Sequence, residues 1–419
     1  MSLRSSRRRA AGVLALGTLA VVAIPLAAPG AELVPGSDAG SPRWLLGVYG
    51  NGLGVGGGAY LTALWVAFAA YLGVVACAGA LGRRVIRWAI VGGVVAFALA
   101  PPLLSLDVFS YIANARLGAL HGLNPYDFAP AVIPHDLAAS RVEDYRHTTS
   151  VYGPLFTLAT YPLGLIGVPG ALWALKAVAA LSVLGIAALV ARLAAVRGIA
   201  PAPAAALVAL NPLVLVHVVG GPHNDGLMVL ALLAGTALIL GASEAGGGAS
   251  LIAGVAVKVP AALAAPFAFL GAETARRRAR LLAEATAAAA VIAGVGLAVF
   301  GTSALHVVSS FNDDQHRVSY HGVPATAARI GGFDLGIARA VLAAAYGLLV
   351  VWLLAWTARG GDWVRATAWA VLGLLCATAH LNPWYLVWAL PLVAVARDRT
   401  LVALTLALCA YQLSVAVPT

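Results

Sequence analysis

The stretch Trp88–Tyr111, WAIVGGVVAFALAPPLLSLDVFSY, decides the fold of this chain. Its first part is an apolar run of the length that crosses the hydrocarbon core of a membrane. The run ends at Asp107, where a polar segment begins. A carboxylate at that depth is costly unless it has a function or a partner. The sequence therefore predicts a membrane helix that carries an acidic side chain to the lip of a membrane-embedded cavity.

The composition of the whole chain extends this prediction to a polytopic membrane protein. Of the 419 residues, 61% are hydrophobic and only 10% are charged, whereas a soluble domain carries about 25% charged residues. Small residues are abundant, and they let helices pack closely in lipid. The cysteines Cys77, Cys376 and Cys409 lie in apolar runs without metal-ligand spacing, and we interpret them as packing residues.

The net charge of +10 is carried by arginines that cluster in short loops. Such clusters mark cytoplasmic loops, so we predict a membrane orientation and no nucleic-acid partner. The orientation places Asp107 and all nine histidines on the outer side of the membrane or in the outer half of a span. The first apolar run, residues 11–29, is expected to be an anchor, and a cleaved signal peptide is the alternative.

The fold predicted from this pattern is an all-α bundle with about eleven crossings and two partial ones, or with about thirteen full crossings. Residues 203–219 are expected to form one span. The short apolar run 152–168 contains prolines and predicts a re-entrant or interfacial helix. The run 249–270 is broken at Lys258-Val259-Pro260 and predicts two half-helices that line a cavity. We expect one domain, 1–419, composed of N-terminal spans (1–106), a catalytic outer loop with interfacial helices (107–169) and the remaining spans (170–419).

The first group of polar candidates begins at Asp107. If the segment is helical, Asp107, Ser110, Tyr111 and Asn114 share one face because they lie three or four residues apart. The plain alternative is an amphipathic interfacial helix with a solvated acidic end. Further polar residues follow in the same outer loop: Arg116, His121, Asn124. The acids Asp127 and Asp136 are expected to be solvated loop charges.

Two more groups of polar residues lie at later outer turns. His223, Asn224 and Asp225 are consecutive where one span ends and the next begins, and Asn224 or Asp225 alone would serve as a helix cap. A late outer loop contains Asp313, Asp314 and Arg317, and Arg317 has the planar fork that suits a phosphate. The two acids could bind a divalent ion, but we favour neither a metal nor a cofactor. The next outer turn contains Trp384 and Tyr385, which suit an aromatic belt, a sugar platform or a lipid groove.

The chain contains two lysines, and both lie in apolar runs. An intramembrane lysine by default has a function or a partner. Lys176 could instead extend to an interface. Lys258, beside the proline break, is the better candidate for holding an anionic group.

Several motifs together resemble one enzyme family. They are Asp107-Val-Phe-Ser-Tyr111, His121-Gly-Leu-Asn-Pro-Tyr126, Tyr152-Gly-Pro-Leu155, Asn211-Pro-Leu-Val-Leu-Val-His217, Gly220-Gly-Pro-His-Asn-Asp-Gly-Leu227, the half-helix pair around Lys258 and Asn382-Pro-Trp-Tyr-Leu386. In this combination they resemble the actinobacterial polyprenol-phosphate-mannose-dependent α-1,6-mannosyltransferases, which belong to the C-type integral-membrane glycosyltransferases. The resemblance extends from about residue 107 to residue 390.

The resemblance implies a multi-pass cell-membrane enzyme with an extracytoplasmic active site. The donor would be polyprenyl-phosphate-mannose, and the acceptor a growing mannoside of the lipomannan or lipoglycan type in the cell envelope. Asp107 matches the acid that acts as catalytic base in the superfamily. With an inverting attack, we assign the donor phosphate to Arg116, Lys258 and Arg317. The candidates for sugar or acceptor binding are Tyr111, His121, Asn124, His223, Asn224, Asp225, Trp384 and Tyr385.

Two alternatives stay open on the residues alone. A transporter or flippase of a lipid-linked or small polar solute would also have many helices, broken segments and membrane lysines. Against it, the polar residues gather in outer loops and not at the membrane midplane. A transferase of a different lipid-linked sugar is the second alternative, since fold alone does not select the sugar.

Overall fold

The computed structural model describes residues 3–29, 42–142, 145–241, 245–306 and 318–415, and the described part is helical without a β-strand. This confirms the all-α fold class. In chain order the α-helices are α1 (Leu3–Ala27), α2 (Arg43–Leu46), α3 (Gly57–Leu81), α4 (Arg83–Ala98), α5 (Asp107–His121), α6 (Pro154–Leu165), α7 (Gly167–Val196), α8 (Pro201–Ala209), α9 (Asp225–Leu240), α10 (Gly247–Val257), α11 (Ala264–Gly271), α12 (Ala275–Phe300), α13 (Val323–Gly331), α14 (Leu335–Ala358), α15 (Trp363–Ala377), α16 (Leu386–Val395) and α17 (Arg399–Val415). Short 3₁₀ segments are Gly47–Tyr49, Pro130–Val132, Ala139–Arg141, Val259–Leu263, Gly301–Leu305 and Pro383–Tyr385, and Val214–Gly220 forms a π-helix.

Five of the described helices are long and apolar enough to cross a membrane alone, namely α1, α3, α7, α12 and α14. A sixth span arises if α8 and the π-helix count as one bent crossing. Several further helices are apolar but shorter, with 10 to 17 residues. The predicted eleven to thirteen crossings therefore require these shorter helices to cross as well, and that number stays a prediction.

Helix α7 is central to the bundle. It is the longest described helix, with 30 residues, and it packs against α4, α5, α6, α8, α9, α16 and the π-helix. Its buried face consists mainly of Ala, Val, Leu and Ile side chains. Small residues let neighbouring backbones approach closely where lipid provides no hydrophobic drive for association. Helix α7 is thereby the common packing partner of the elements around it.

The segment predicted as one span over 203–219 is bent, because α8 and the π-helix meet at an angle of 62°. The break falls at Asn211-Pro212, where proline has no backbone N–H to donate to a helical hydrogen bond. The Asn211 side chain compensates, since its Oδ1 accepts a hydrogen bond from the Leu213 N–H at 2.9 Å. The bend directs the π-helix towards the polar turn at residues 221–224.

The predicted break at Lys258 is confirmed. Helix α10 ends at Val257, Lys258 is extended with φ −155° and ψ 129°, and a 3₁₀ segment leads into α11. The short helix expected within 152–168 is also present as α6, which packs against α5 and α7.

The span expected to reach residue 106 is shorter than predicted. Helix α4 ends at Ala98, and residues 99–106 are not helical. Pro101 and Pro102 lie in this connection, and neither can donate a backbone hydrogen bond to a helix. Leu104 has a left-handed backbone with φ 57°, a conformation that costs a non-glycine residue roughly 1–3 kcal/mol. Asp107 is thus the first residue of a new helix that follows a strained connection.

Two arginines of predicted cytoplasmic loops, Arg197 and Arg365, form ion pairs with Asp362 and Asp398. Arg197 pairs with Asp362, the N-cap residue of α15, and donates to the Val395 carbonyl at 2.6 Å. Arg365 pairs with Asp398 at 2.7 Å, and Asp398 also accepts a hydrogen bond from the Trp369 indole at 3.1 Å. These contacts tie the ends of α7, α15 and α16 together.

Gly153 offers a test of the packing between α6 and the Lys258 break. A Cβ at Gly153 would lie 2.0 Å from the carbonyl oxygen of Ala256. We therefore expect Gly153→Ala to force the two segments apart and to destabilise the protein by about 1–3 kcal/mol. The measurement is the thermal unfolding midpoint of the purified protein in detergent.

Gly294→Ala is the matched control, because nothing lies within 4 Å of the added Cβ in the middle of α12. Alanine is favoured over glycine in a helix interior, so this midpoint should stay equal or rise. An equal midpoint for both variants would contradict the packing described here.

Candidate active site

Asp107 occupies the first turn of α5, and its side chain is 18% exposed. Its backbone N–H donates to the Ser105 hydroxyl at 3.2 Å. The helix that follows places Ser110, Tyr111 and Asn114 on the face that Asp107 begins, as the three- and four-residue spacing predicts. All three are buried. The acid therefore lies at the partly open start of a helix whose next eight residues, 108–115, are buried.

His223 contacts Asp107 directly. Its Nε2 lies 3.5 Å from the Asp107 Oδ2, and its Nδ1 lies 2.6 Å from the backbone carbonyl oxygen of His217. The imidazole stacks on the Trp384 ring, with centroids 3.9 Å apart and planes at 22°. A turn, a π-helix and a 3₁₀ segment thus hold one imidazole against the carboxylate.

Asn224 joins the same turn to α5. The Tyr111 hydroxyl lies 3.5 Å from the Asn224 Oδ1 and 3.4 Å from the Asn224 N–H. The Tyr111 ring packs edge-on against Tyr152 and Phe156, with centroids 4.8 and 5.1 Å away. The amide nitrogen of the Asn224 side chain is buried and has no hydrogen-bond partner among the described residues. This orphaned donor lies in the middle of the cluster.

Asp225 and Lys258 form an ion pair beside this turn. The Lys258 Nζ lies 2.9 Å from each carboxylate oxygen of Asp225, and the Trp388 indole N–H donates to the Asp225 Oδ1 at 2.6 Å. The Asp225 side chain is fully buried, whereas that of Lys258 is 20% exposed. The Lys258 ammonium also lies 4.9 Å from the Tyr385 ring centroid, within cation–π range.

The structure therefore brings Asp107, Tyr111, His223, Asn224, Asp225, Lys258, Trp384 and Tyr385 into one connected cluster. The three outer groups of the sequence meet there because the bent span, the Lys258 break and the 3₁₀ turn before α16 all end on the same side of α5. The roles of these residues stay predictions.

Lys176 of α7 holds the backbone on which the cluster rests. It does not extend to an interface: only 1% of the residue is exposed. Its Nζ donates to the carbonyl oxygen of Gly220 at 2.8 Å, with those of Pro101 and Val219 at 3.4 Å. The ammonium thus joins the connection before Asp107 to the end of the π-helix before His223.

Gly220 and Gly221 allow these two segments to touch. A Cβ at Gly220 would lie 2.9 Å from the Leu103 side chain, and one at Gly221 would lie 2.9 Å from the Leu103 carbonyl oxygen. The Leu103 N–H also donates to the Gly220 carbonyl at 3.3 Å. Two consecutive glycines are therefore explained by the close approach of one backbone to another.

Arg116 is not brought to Asp107. Nine residues along a helix make two and a half turns and a rise of about 13–14 Å. Arg116 therefore lies on the face of α5 opposite to Asp107. Its Nε donates to the Asp136 Oδ2 at 2.7 Å, and its Nη1 donates to the Gly164 carbonyl at 3.3 Å. The guanidinium of Arg116 thus ties the outer loop to α6. The structure does not bring it to Asp107, and its assignment to a donor phosphate stays a prediction.

Asp136 is not a solvated charge, in contrast to the prediction. Its side chain is 3% exposed and accepts hydrogen bonds from Arg116 and from the N–H groups of Ala138 and Ala139. Burial raises the pKa of this carboxyl, but the hydrogen bonds and the arginine outweigh it and lower the pKa below its ordinary value. The His121 Nε2 lies 3.7 Å from the same carboxylate, so His121 belongs to this second cluster and not to the one around Asp107.

Asn124 also has a structural position. Its side-chain amide donates to Asp127 and to the Phe300 carbonyl, both at 2.9 Å, and its Oδ1 accepts from the Tyr126 N–H at 3.1 Å. These hydrogen bonds connect the outer loop to the end of α12. The structure therefore does not bring the Asn124 side chain to Asp107. Arg317, Asp313 and Asp314 lie outside the described residues.

Two residues of the cluster were not among the predicted site residues. Trp388 lies in α16, its ring stacks on Tyr385 of the preceding 3₁₀ segment, and its indole donates to Asp225. In the sequence, Lys176 is distinguished only by its position in an apolar run. Its three carbonyl partners come from two separate segments, so only the folded chain identifies its role.

The Asp225–Lys258 pair gives a test of the cluster. Removing one partner of a buried ion pair leaves an uncompensated charge and costs about 3–5 kcal/mol. We expect Asp225→Asn and Lys258→Met each to lower the thermal midpoint strongly, and the double variant to be less damaged than the sum of the two. The double-mutant cycle, measured by thermal unfolding in detergent, gives the coupling energy. Additive effects would show that the two side chains do not interact.

The comparisons with known proteins identify the family of this chain. The profile of the family described as "Alpha-(1->6)-mannopyranosyltransferase, N-terminal domain" matches residues 14–274, which include Asp107, the His223 turn and Lys258. No solved structure matches the chain significantly.

Two curated proteins with a similar name are similar to this chain in sequence. "Alpha-(1->6)-mannopyranosyltransferase A" of Mycobacterium tuberculosis is 28% identical over 384 residues, which cover 83% of this chain and 72% of the relative. The protein of the same name from Corynebacterium glutamicum is 29% identical over 192 residues, or 42% of this chain and 36% of the relative. The family match over more than half of the residues shows that this chain belongs to the α-(1→6)-mannopyranosyltransferase family.

Proposed function

We propose that this protein transfers mannose from polyprenyl-phosphate-mannose to a growing mannoside or lipoglycan on the extracytoplasmic face of the cell membrane. The observation that carries the proposal is the contact of Asp107 with His223, beside the Asp225–Lys258 pair. A partly exposed carboxylate, a lysine and aromatic rings lie together in a chain whose family is named for mannosyl transfer. Such a transfer uses a base, a hydrogen-bond donor to the phosphate and surfaces that bind the sugars.

Asp107 is the proposed base. The acceptor hydroxyl must lose a proton as its oxygen attacks the anomeric carbon of the donor. The phosphate leaves with the bonding electrons and requires charge stabilisation more than a proton. An in-line attack on a β-linked donor inverts the anomeric carbon and gives an α product. The reaction therefore uses one carboxylate, in contrast to the acid and base pair of glycosidases.

Lys258 is the proposed partner of the donor phosphate. An ammonium has three N–H donors, and two of them are directed at the Asp225 oxygens. The third donor and the exposed fifth of the side chain are left for a phosphate oxygen. Asp225 and the Trp388 indole hold the ammonium in place, so Asp225 acts on the donor through Lys258. Arg317 stays a second candidate on the basis of the sequence alone.

The sugars are proposed to lie between the aromatic residues and Asn224. Trp384 and Tyr385 are partly exposed, and their rings offer apolar faces to the C–H groups of a pyranose. The orphaned amide nitrogen of Asn224 is a donor for a sugar hydroxyl, because a buried donor without a partner is rare in folded proteins. Holding both sugars in line supplies a large part of the rate in such a mechanism.

Asp107→Asn tests the base. Asparagine keeps the size and hydrogen bonding of the side chain but does not accept the proton. We expect transfer from polyprenyl-phosphate-mannose to a short α-mannoside to fall by about 10²-fold or more, the usual contribution of general-base catalysis. The assay is the initial rate of product formation by purified protein, with thermal unfolding as the check of folding.

Asp334→Asn is the matched control for this change. Asp334 is an exposed N-cap residue of α14 whose Oδ1 accepts from the Ile337 N–H, and asparagine caps helices as well as aspartate. Its rate should equal that of the native protein. A normal rate for Asp107→Asn would reject Asp107 as the base. Transfer from another lipid-linked sugar but not from the mannose donor would reject the donor and keep the reaction class.

A further inference from the structure

We infer that His223 is the positioning residue of the base: it orients the Asp107 carboxylate and shares the proton that this carboxylate withdraws from the acceptor. The inference rests on the proposed function, in which Asp107 is the base. It adds a second titrating group, on a different element, that reaches the acceptor only through Asp107.

The contacts of the imidazole define which nitrogen faces the acid. A carbonyl oxygen only accepts hydrogen bonds, so the Nδ1 at 2.6 Å from the His217 carbonyl must carry a hydrogen. The Nε2 is then the atom that exchanges a proton, and it lies 3.5 Å from the Asp107 Oδ2. Contacts between catalytic groups are commonly long without substrate and shorten when substrate binds.

The surroundings of the ring prevent it from turning away. The His223 side chain is fully buried and stacks on Trp384. The His217 carbonyl belongs to the π-helix, and irregular helical turns of this kind frequently occur at functional sites. Rotation of the imidazole would break the Nδ1 hydrogen bond inside a closed site. The Nε2 is therefore held towards Asp107 before any substrate arrives.

The charges around the ring can support a transient imidazolium. Asp107, Asp225 and Lys258 all interact with it electrostatically, and the His217 imidazole lies nearby, 6.0 Å from Trp384. Burial is the largest effect and holds the pKa of His223 below its ordinary value; the two carboxylates and the His217 carbonyl raise the pKa in part, and Lys258 lowers it. The resting His223 ring is therefore neutral, and its Nε2 can accept a proton. The two carboxylates and the Trp384 ring face stabilise the imidazolium that then forms.

The proton transfer balances with the groups of the proposed reaction. The acceptor O–H bond breaks as the new C1–O bond forms, and the bond from C1 to the phosphate oxygen breaks with its electron pair on the phosphate. The proton passes to the Asp107 carboxylate and is shared with the His223 Nε2. The same arrangement of carboxylate and imidazole is used in the opposite direction in serine hydrolases, where the acid orients the histidine.

Two substitutions at His223 separate its two contacts. In His223→Asn the side-chain amide reaches the position of Nδ1 and keeps the bond to the His217 carbonyl, but this side chain is too short to reach Asp107. In His223→Gln the amide reaches the position of Nε2 and donates to Asp107, but it does not take up a proton. We expect kcat to fall at least 10-fold in both variants, with a smaller change in KM for the donor.

A residue that only supports the fold would lower the rate without changing the shape of the pH–rate profile. The profile therefore tests the role of His223 in proton transfer. The resting Nε2 presents a lone pair to Asp107 and so disfavours the charged form of the carboxylate. Without the imidazole, the acidic limb of the profile should therefore move to lower pH. The shift should be larger for Gln than for Asn, because the Gln amide donates to the carboxylate. His135→Gln, an exposed histidine of the outer loop, is the control and should keep the native rate and profile.

The outcomes distinguish this inference from the proposed function. If Asp107→Asn is inactive while both His223 variants keep the native rate and profile, the role of His223 is rejected and Asp107 stays the base. A reduced kcat with an unmoved acidic limb also rejects it. An active Asp107→Asn rejects the proposed base, and the inference with it. If neither His223 variant folds, a proton inventory of the native protein decides: a curved dependence on deuterium content supports two moving protons, and a linear one rejects them.

Discussion

The arrangement of this site depends on one buried ammonium. Lys176 lies inside the bundle on α7, and it donates to carbonyl oxygens of two irregular segments that lack helical partners there. In a membrane, non-helical backbone is tolerated only where the protein satisfies its polar groups. The connection before Asp107 and the end of the π-helix before His223 meet this condition through the same side chain. The distance between the acid and the imidazole follows from that shared anchor.

The rest of the cluster consists of contacts that each join two elements. Asp225 and Lys258 join the start of α9 to the break before α11, Tyr111 and Asn224 join α5 to the turn, and Trp384 closes the site over His223. Each contact occurs where a helix is interrupted. A straight bundle would keep these polar side chains on separate helix ends, whereas interruptions allow them to converge beside α5.

Much of the fold and part of the site could be predicted from local patterns. The apolar run before Asp107, the proline beside Lys258 and the helical spacing from Asp107 to Tyr111 all act over a few residues, so sequence alone indicated them. The separation of Arg116 from Asp107 was equally predictable, because nine residues are two and a half helical turns and lead to the opposite face. The bend at Asn211 has a local cause in Pro212, which the sequence contains. The burial of Asp136 depends on its contact with Arg116, twenty residues earlier, and a local pattern contains no information on such a contact.

The sequence by itself determined a helical membrane protein, the breaks in its helices and the residue types that could perform sugar transfer. These properties follow from hydropathy, charge and proline content, which act locally along the chain. Only the tertiary structure decided which polar groups meet. It placed His223 on Asp107 and Lys258 on Asp225, and it paired Arg116 with Asp136 instead. The physical reason is that buried charges and orphaned carbonyls must find partners. Those partners lie far away along the chain, 75 residues for Lys176 and Pro101 and 163 residues for Asp225 and Trp388.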